Sequence, residues 1–80
     1  VTDTDTEARV NEVLGLVLAL PAPVTGPVLR SATPAWDSLA HVEIIYALEE
    51  TFGVLFPEES LTELDGTTAI ATRVDRLRAA

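Results

Sequence analysis

The 80-residue sequence contains no cysteine. That excludes disulfide bridges and thiolate metal sites, and it points to a reducing compartment. Lysine is also missing, so the five basic residues are all arginines: Arg9, Arg30, Arg73, Arg76 and Arg78. Against them stand 13 acidic residues, for a formal net charge of −8. A chain so poor in positive charge is repelled by nucleic-acid phosphates and anionic membrane surfaces, so neither is expected as a partner. It is steered instead towards basic proteins. No long unbroken apolar run is present. The uncharged stretch 13–29 is shorter than a membrane-spanning helix, and Pro21, Pro23 and Pro27 interrupt it. The acidic start (Asp3, Asp5, Glu7) is the opposite of the basic start of an export signal, so a cytoplasmic location is expected. Strand-like alternation and internal repeats are absent. So is the glycine-containing loop that would make a calcium site of Asp3, Asp5 and Glu7.

What the sequence does contain is helical periodicity. Hydrophobic residues make up 48% of the chain, enough for a packed core. The length fits one domain, spanning 1–80, that buries only about 60% of its unfolded surface. Positions 1–5 read as a frayed polar leader with Asp5 or Thr6 available as a cap. Val10, Val13, Leu14, Val17 and Leu18 then follow the i, i+3, i+4, i+7 spacing of an amphipathic helix, which Pro21 ends. Gly15 falls inside that helix at an expected cost of about 0.5–1 kcal/mol. The connection 20–37 carries four prolines and is long for a compact domain, so it is expected to be tied down, with Val24, Val28 and Leu29 plugging into the core. A second helix is predicted from Ser38 to about Phe52, with Gly53 as its C-terminal cap. Pro57 opens a short helical turn with Glu58 and Glu59 in its first turn. Asp65, Gly66 and Thr67 make a turn, and Thr68 caps a last helix whose Ile70, Val74 and Leu77 face inward. Its Arg73, Arg76 and Arg78 suit the C-terminal end of the helix dipole. The expected fold is all-α, a small four-helix bundle of three main helices and one short one, monomeric.

The second helix is the most informative segment. At about 100° per residue, Ile44, Ile45, Leu48 and Phe52 share one arc, with Ala47 beside it, which suffices to face a core. Val42 and Tyr46 lie on a different arc, bordered by Glu43, Glu49 and Glu50. Either they pack against the long connection or they form a docking strip. The helix opens with Trp36-Asp37-Ser38-Leu39. A serine or aspartate there is ordinarily a cap worth roughly 1 kcal/mol. A helix N-terminus also presents free N–H groups and a positive dipole end, a favourable field for a phosphate ester built on an exposed serine.

These residues carry a resemblance. Asp37-Ser38-Leu39, Val42-Glu43, Ala47-Leu48-Glu49-Glu50, Phe52-Gly53 and Pro57 resemble the acyl carrier proteins and their peptidyl and aminoacyl carrier relatives. The match is specific over helix two and the following turn. Helix one and the last helix match only in apolar spacing and length. The resemblance implies an acyl-carrier-protein-like bundle in which a phosphopantetheinyl transferase attaches 4′-phosphopantetheine, taken from coenzyme A, to Ser38. The arm's thiol then holds an acyl intermediate as a thioester. The chain itself is then a non-catalytic carrier, and the absence of cysteine fits because the thiol is borrowed. An acyltransferase or an adenylating ligase would load it, and a ketosynthase or another thioester-using enzyme with a basic docking surface would receive its cargo. Polyketide or fatty-acid type biosynthesis is favoured over an aminoacyl or peptidyl pathway. The lysine-free, Ala- and Leu-rich composition hints at bacterial secondary metabolism. The resemblance assigns partner contact to Asp37, Leu39, Val42, Glu43, Tyr46, Glu49 and Glu50. Charge reversal at Glu43 or Glu49 is expected to leave the fold intact.

The sequence departs from the family at Ala35, where glycine is common, and in having Trp36 before Asp37. Trp36 is expected to staple the connection onto helix two rather than to shield cargo. The start at Val1 suggests trimming or excision from a longer chain, and the acidity favours a free-standing carrier. Two readings compete. His41 lies three residues after Ser38, the spacing of a nucleophile and base on one helix face, yet so small a bundle has little room for a catalytic pocket. An acidic helical module that docks to a basic partner and is never modified would show the same Glu43, Glu49 and Glu50 surface without needing Ser38.

Overall fold

A computed structural model describes residues 4–21, 24 and 26–79. Three α-helices, α1 (Thr4–Leu18), α2 (Ser38–Phe52) and α3 (Thr67–Ala79), are joined through two 3-10 segments, η1 (Arg30–Ala32) and η2 (Glu58–Glu63). The chain is thus the all-α bundle that the periodicity predicts, with η2 as its short fourth member. Helix α1 packs against both α2 and α3. Its apolar stripe, Val10, Val13, Leu14 and Leu18, is buried together with Ile44, Ile45, Leu48 and Phe52 of α2 and Ile70, Ala71 and Val74 of α3. Phe56 and Leu64 close the core from the segments on either side of η2. No described helix is long and apolar enough to cross a membrane.

Several boundaries differ from expectation. Asp5 is not part of a leader, because α1 already begins at Thr4. Thr6 is buried there, and its hydroxyl donates to Asp75 Oδ1 of α3 at 2.8 Å, so a tertiary bond holds the first turn. Residues 1–3, the rest of the expected leader, lie outside the described residues. Helix α3 begins at Thr67 rather than after a Thr68 cap.

Helix α1 stops at Leu18, three residues before Pro21. Ala19 adopts φ 54°, and the Leu20 N–H donates to the Gly15 carbonyl at 2.9 Å. This is the six-to-one bond of a Schellman ending. Helix α2 ends in the same way, with Gly53 at φ 66° and the Val54 N–H on the Glu49 carbonyl at 3.2 Å. In α2 the left-handed position is a glycine; in α1 it is an alanine, whose Cβ makes that conformation costly. Ala19→Gly is therefore expected to stabilise the domain by about 0.5–1 kcal/mol, read as a higher urea midpoint at unchanged slope. An unchanged or lower midpoint would remove the strain from Ala19.

The long connection is tied down, but mostly by polar groups. The Asn11 side-chain amide donates to the Gly26 carbonyl at 3.0 Å. The Thr67 hydroxyl donates to Asn11 Oδ1 at 2.7 Å and accepts from the Val28 N–H at 2.8 Å. The Thr67 N–H donates back to the Val28 carbonyl, the Arg30 N–H donates to the Asp65 carbonyl, and Leu29 and Gly66 form an isolated antiparallel bridge. Val28 packs against the core as expected, whereas Leu29 is 53% exposed, because the bridge commits its backbone and leaves its side chain at the surface. Gly15 also has a function the periodicity hid. An added Cβ would stand 2.9 Å from Val24 Cγ2, so the glycine admits Val24 against the helix.

Candidate functional site

The candidate site is the first turn of α2. Asp37 precedes the helix in extended conformation, and its Oδ1 accepts from the Ala40 N–H at 2.8 Å. That is the N-cap bond, satisfying one of the helix's orphan donors. The cap is therefore Asp37 and not Ser38. Ser38 is the first helical residue and is exposed. No capping duty accounts for its hydroxyl, which is left at the positive end of a 15-residue helix. Asp37 is also exposed, but its carboxylate is engaged by the cap.

Along α2, Leu39, Val42 and Tyr46 are 71%, 49% and 68% exposed. Their i, i+3, i+7 spacing sets them on one face. The choice left open by the sequence is thus decided: this strip is turned to solvent rather than packed under the connection. The exposed Glu43 and Glu50 lie on the same helix, and α2 contains no lysine or arginine. Leu55, on the segment after α2, is 79% exposed as well. It escaped the sequence reading because Val54-Leu55-Phe56 is a short apolar run without a period.

Glu49 is placed differently from its neighbours. It is half-buried, and its Oε2 accepts from the Phe56 N–H at 2.9 Å. This carboxylate holds the turn between α2 and η2. Charge reversal at Glu49 removes that acceptor, so the expectation that it leaves the fold intact is confined to Glu43. Beside it, His41, Val42, Ile45, Tyr46, Glu49, Phe56, Glu58 and Leu61 line a cavity of about 330 Å³ between α2 and η2.

Trp36 and His41 occupy the two positions of a helix-entry staple, one just before the cap and one at the fourth helical residue. Trp36 is 3% exposed, so it lies in the core, the staple role expected of it. Its indole N–H donates to His41 Nδ1 at 3.0 Å, and His41 Nε2 lies 2.8 Å from the Leu61 carbonyl. Arg30 Nε donates to the Trp36 carbonyl at 3.3 Å. Both ring nitrogens of His41 are engaged away from Ser38, which removes the geometric basis of a serine–histidine pair. Arg30 and Leu61 could not be singled out from sequence, because their part rests on partners 6 and 20 residues away. No group of acidic or histidine side chains among the described residues is arranged to hold a metal ion; Asp3 lies outside them.

No family model and no curated protein matches the chain.

Proposed function

We propose that the protein is a carrier of the acyl carrier protein type, modified on Ser38 with 4′-phosphopantetheine. The observation that carries this reading is the division of labour at the start of α2. Asp37 caps the helix, and Ser38 is exposed beside it without a structural task. The residues present suit the group. A phosphodiester on Ser38 would lie at the helix end where N–H groups and the dipole favour negative charge. When bound, the arm supplies a thiol on which an acyl group travels as a thioester. The chain's own residues hold the attachment point and present the docking surface. Leu39, Val42 and Tyr46 offer apolar contact. Glu43 and Glu50 supply the negative field that attracts basic partner surfaces such as those of a transferase, a loading enzyme or a ketosynthase. Such steering raises association rates without a large interface, as suits a carrier that must leave each enzyme again.

The test is intact-mass measurement after incubation with coenzyme A and a promiscuous phosphopantetheinyl transferase. Addition of one phosphopantetheine unit, lost in Ser38→Ala, is expected. An unchanged mass with folded protein would assign the acidic face to an unmodified docking module instead. For the docking face, Glu43→Lys is expected to slow modification several-fold at low salt, with the difference shrinking as salt rises. Equal rates at all salt concentrations would take Glu43 out of the interface.

A further inference from the structure

Three parts of the chain meet at His41. Trp36, in the segment leading to Ser38, donates its indole N–H to Nδ1, and the Leu61 carbonyl of η2 stands at Nε2. An indole nitrogen only donates and a carbonyl oxygen only accepts. The two contacts together therefore require a neutral imidazole with its proton on Nε2, an assignment inferred from the hydrogen-bond partners. The two ring centroids are 6.0 Å apart with planes inclined by 28°. With the nitrogens only 3.0 Å apart, the rings meet edge to edge rather than face over face. A positive imidazole in that place would meet the positive rim of the indole, not the face that attracts cations.

We propose that Trp36, His41 and the Leu61 carbonyl form a latch operated by a single proton: neutral His41 ties the segment ahead of Ser38 to η2, and protonated His41 releases Trp36. A neutral ring makes both bonds. A protonated ring keeps the bond to Leu61 but turns an N–H towards the indole N–H, setting two donors against each other. The latch is therefore closed while the imidazole is neutral and opens when Nδ1 takes up a proton. The charged and titratable groups around the ring come from each neighbouring element. Asp37, Glu49 and Tyr46 lie on α2 or at its start, Glu58 on η2, and Arg30 holds the Trp36 carbonyl from the connection. In the closed arrangement the indole occupies Nδ1, so none of them accepts from that nitrogen. Opening frees Trp36, two residues before Ser38, while His41 stays bonded to Leu61 in the wall of the adjoining cavity. The latch stands independently of the carrier reading; only its consequence for access to Ser38 rests on that reading.

His41 is the single histidine and Trp36 the single tryptophan, so one probe pair reports the latch in the unmodified chain. The indole N–H resonance and the tryptophan emission are followed from pH 8 to pH 5. One single-proton transition is expected. On its acid side, indole N–H exchange should be about tenfold faster, the factor one ordinary hydrogen bond represents, with emission shifted to the red and helical circular dichroism unchanged. His41→Gln supplies an acceptor and a donor that do not titrate, and should give a flat profile. A flat profile in the wild type, or the same transition in His41→Gln, overturns the latch. If His41→Gln does not fold, the imidazole nitrogen shifts of the wild type at pH 8 decide, because a proton on Nδ1 contradicts the proposal. A chain that shows the transition yet gains no mass on Ser38 keeps the latch and loses the carrier reading.

Discussion

Leu48→Ala is expected to destabilise the protein by about 2–5 kcal/mol, as truncation of a fully buried leucine does. Leu48 has no exposed surface and stands on the arc of α2 that is buried in the core with residues of α1 and α3. Its removal takes apolar surface out of the core and leaves a cavity that close-packed neighbours fill only in part. Such a loss is large here. At 0.05–0.15 kcal/mol per residue, a domain of this length holds roughly 4–12 kcal/mol in total. Urea unfolding by circular dichroism measures the effect, with Tyr46→Ala as the control on the same helix. Tyr46 is turned to solvent, so its truncation should stay within about 0.5 kcal/mol of the parent. Equal losses in the two variants would mean that the burial pattern of α2 is wrong, and with it the exposure of Leu39, Val42 and Tyr46.

Thr67→Val should cost about 2–6 kcal/mol although it barely changes side-chain volume. The Thr67 hydroxyl is buried, donates to Asn11 and accepts from the Val28 N–H. Valine satisfies neither, and each buried polar group left without a partner costs about 1–3 kcal/mol. The two orphans are a side-chain carbonyl on α1 and a backbone N–H in the long connection, so the damage concentrates where the connection is pinned. Hydrogen exchange separates this from general weakening, because the Val28 amide should lose protection before the amides around Leu48 do. Loss of protection at all sites in parallel would mean that the triad adds to global stability without holding the connection.

These two positions mark what was legible in the sequence. Leu48 announced itself because a helix repeats every 3.6 residues, and an apolar arc at that period has to be buried somewhere. The same rule located Ile44, Ile45, Phe52, Ile70 and Val74, together with the surplus strip of Val42 and Tyr46. Gly53 was readable because a left-handed helix ending favours a residue without a Cβ, and Ser38 stood out by its place before an apolar run. Thr67 and Asn11 gave no such signal. They are ordinary polar residues 56 positions apart, and nothing local shows that one hydroxyl bridges α1 to the connection.

The sequence by itself determined the helices, the inward arcs and the acidity of α2, since period, capping chemistry and charge are properties of neighbouring residues. Only the tertiary structure decided that Glu49 is tied to the Phe56 N–H while Glu43 stays exposed, and that His41 faces Trp36 and Leu61 instead of Ser38. Each of those outcomes turns on which donor comes within about 3 Å of which acceptor. Hydrogen bonds are short and directional, so their partners are set by how the packed elements bring distant residues together.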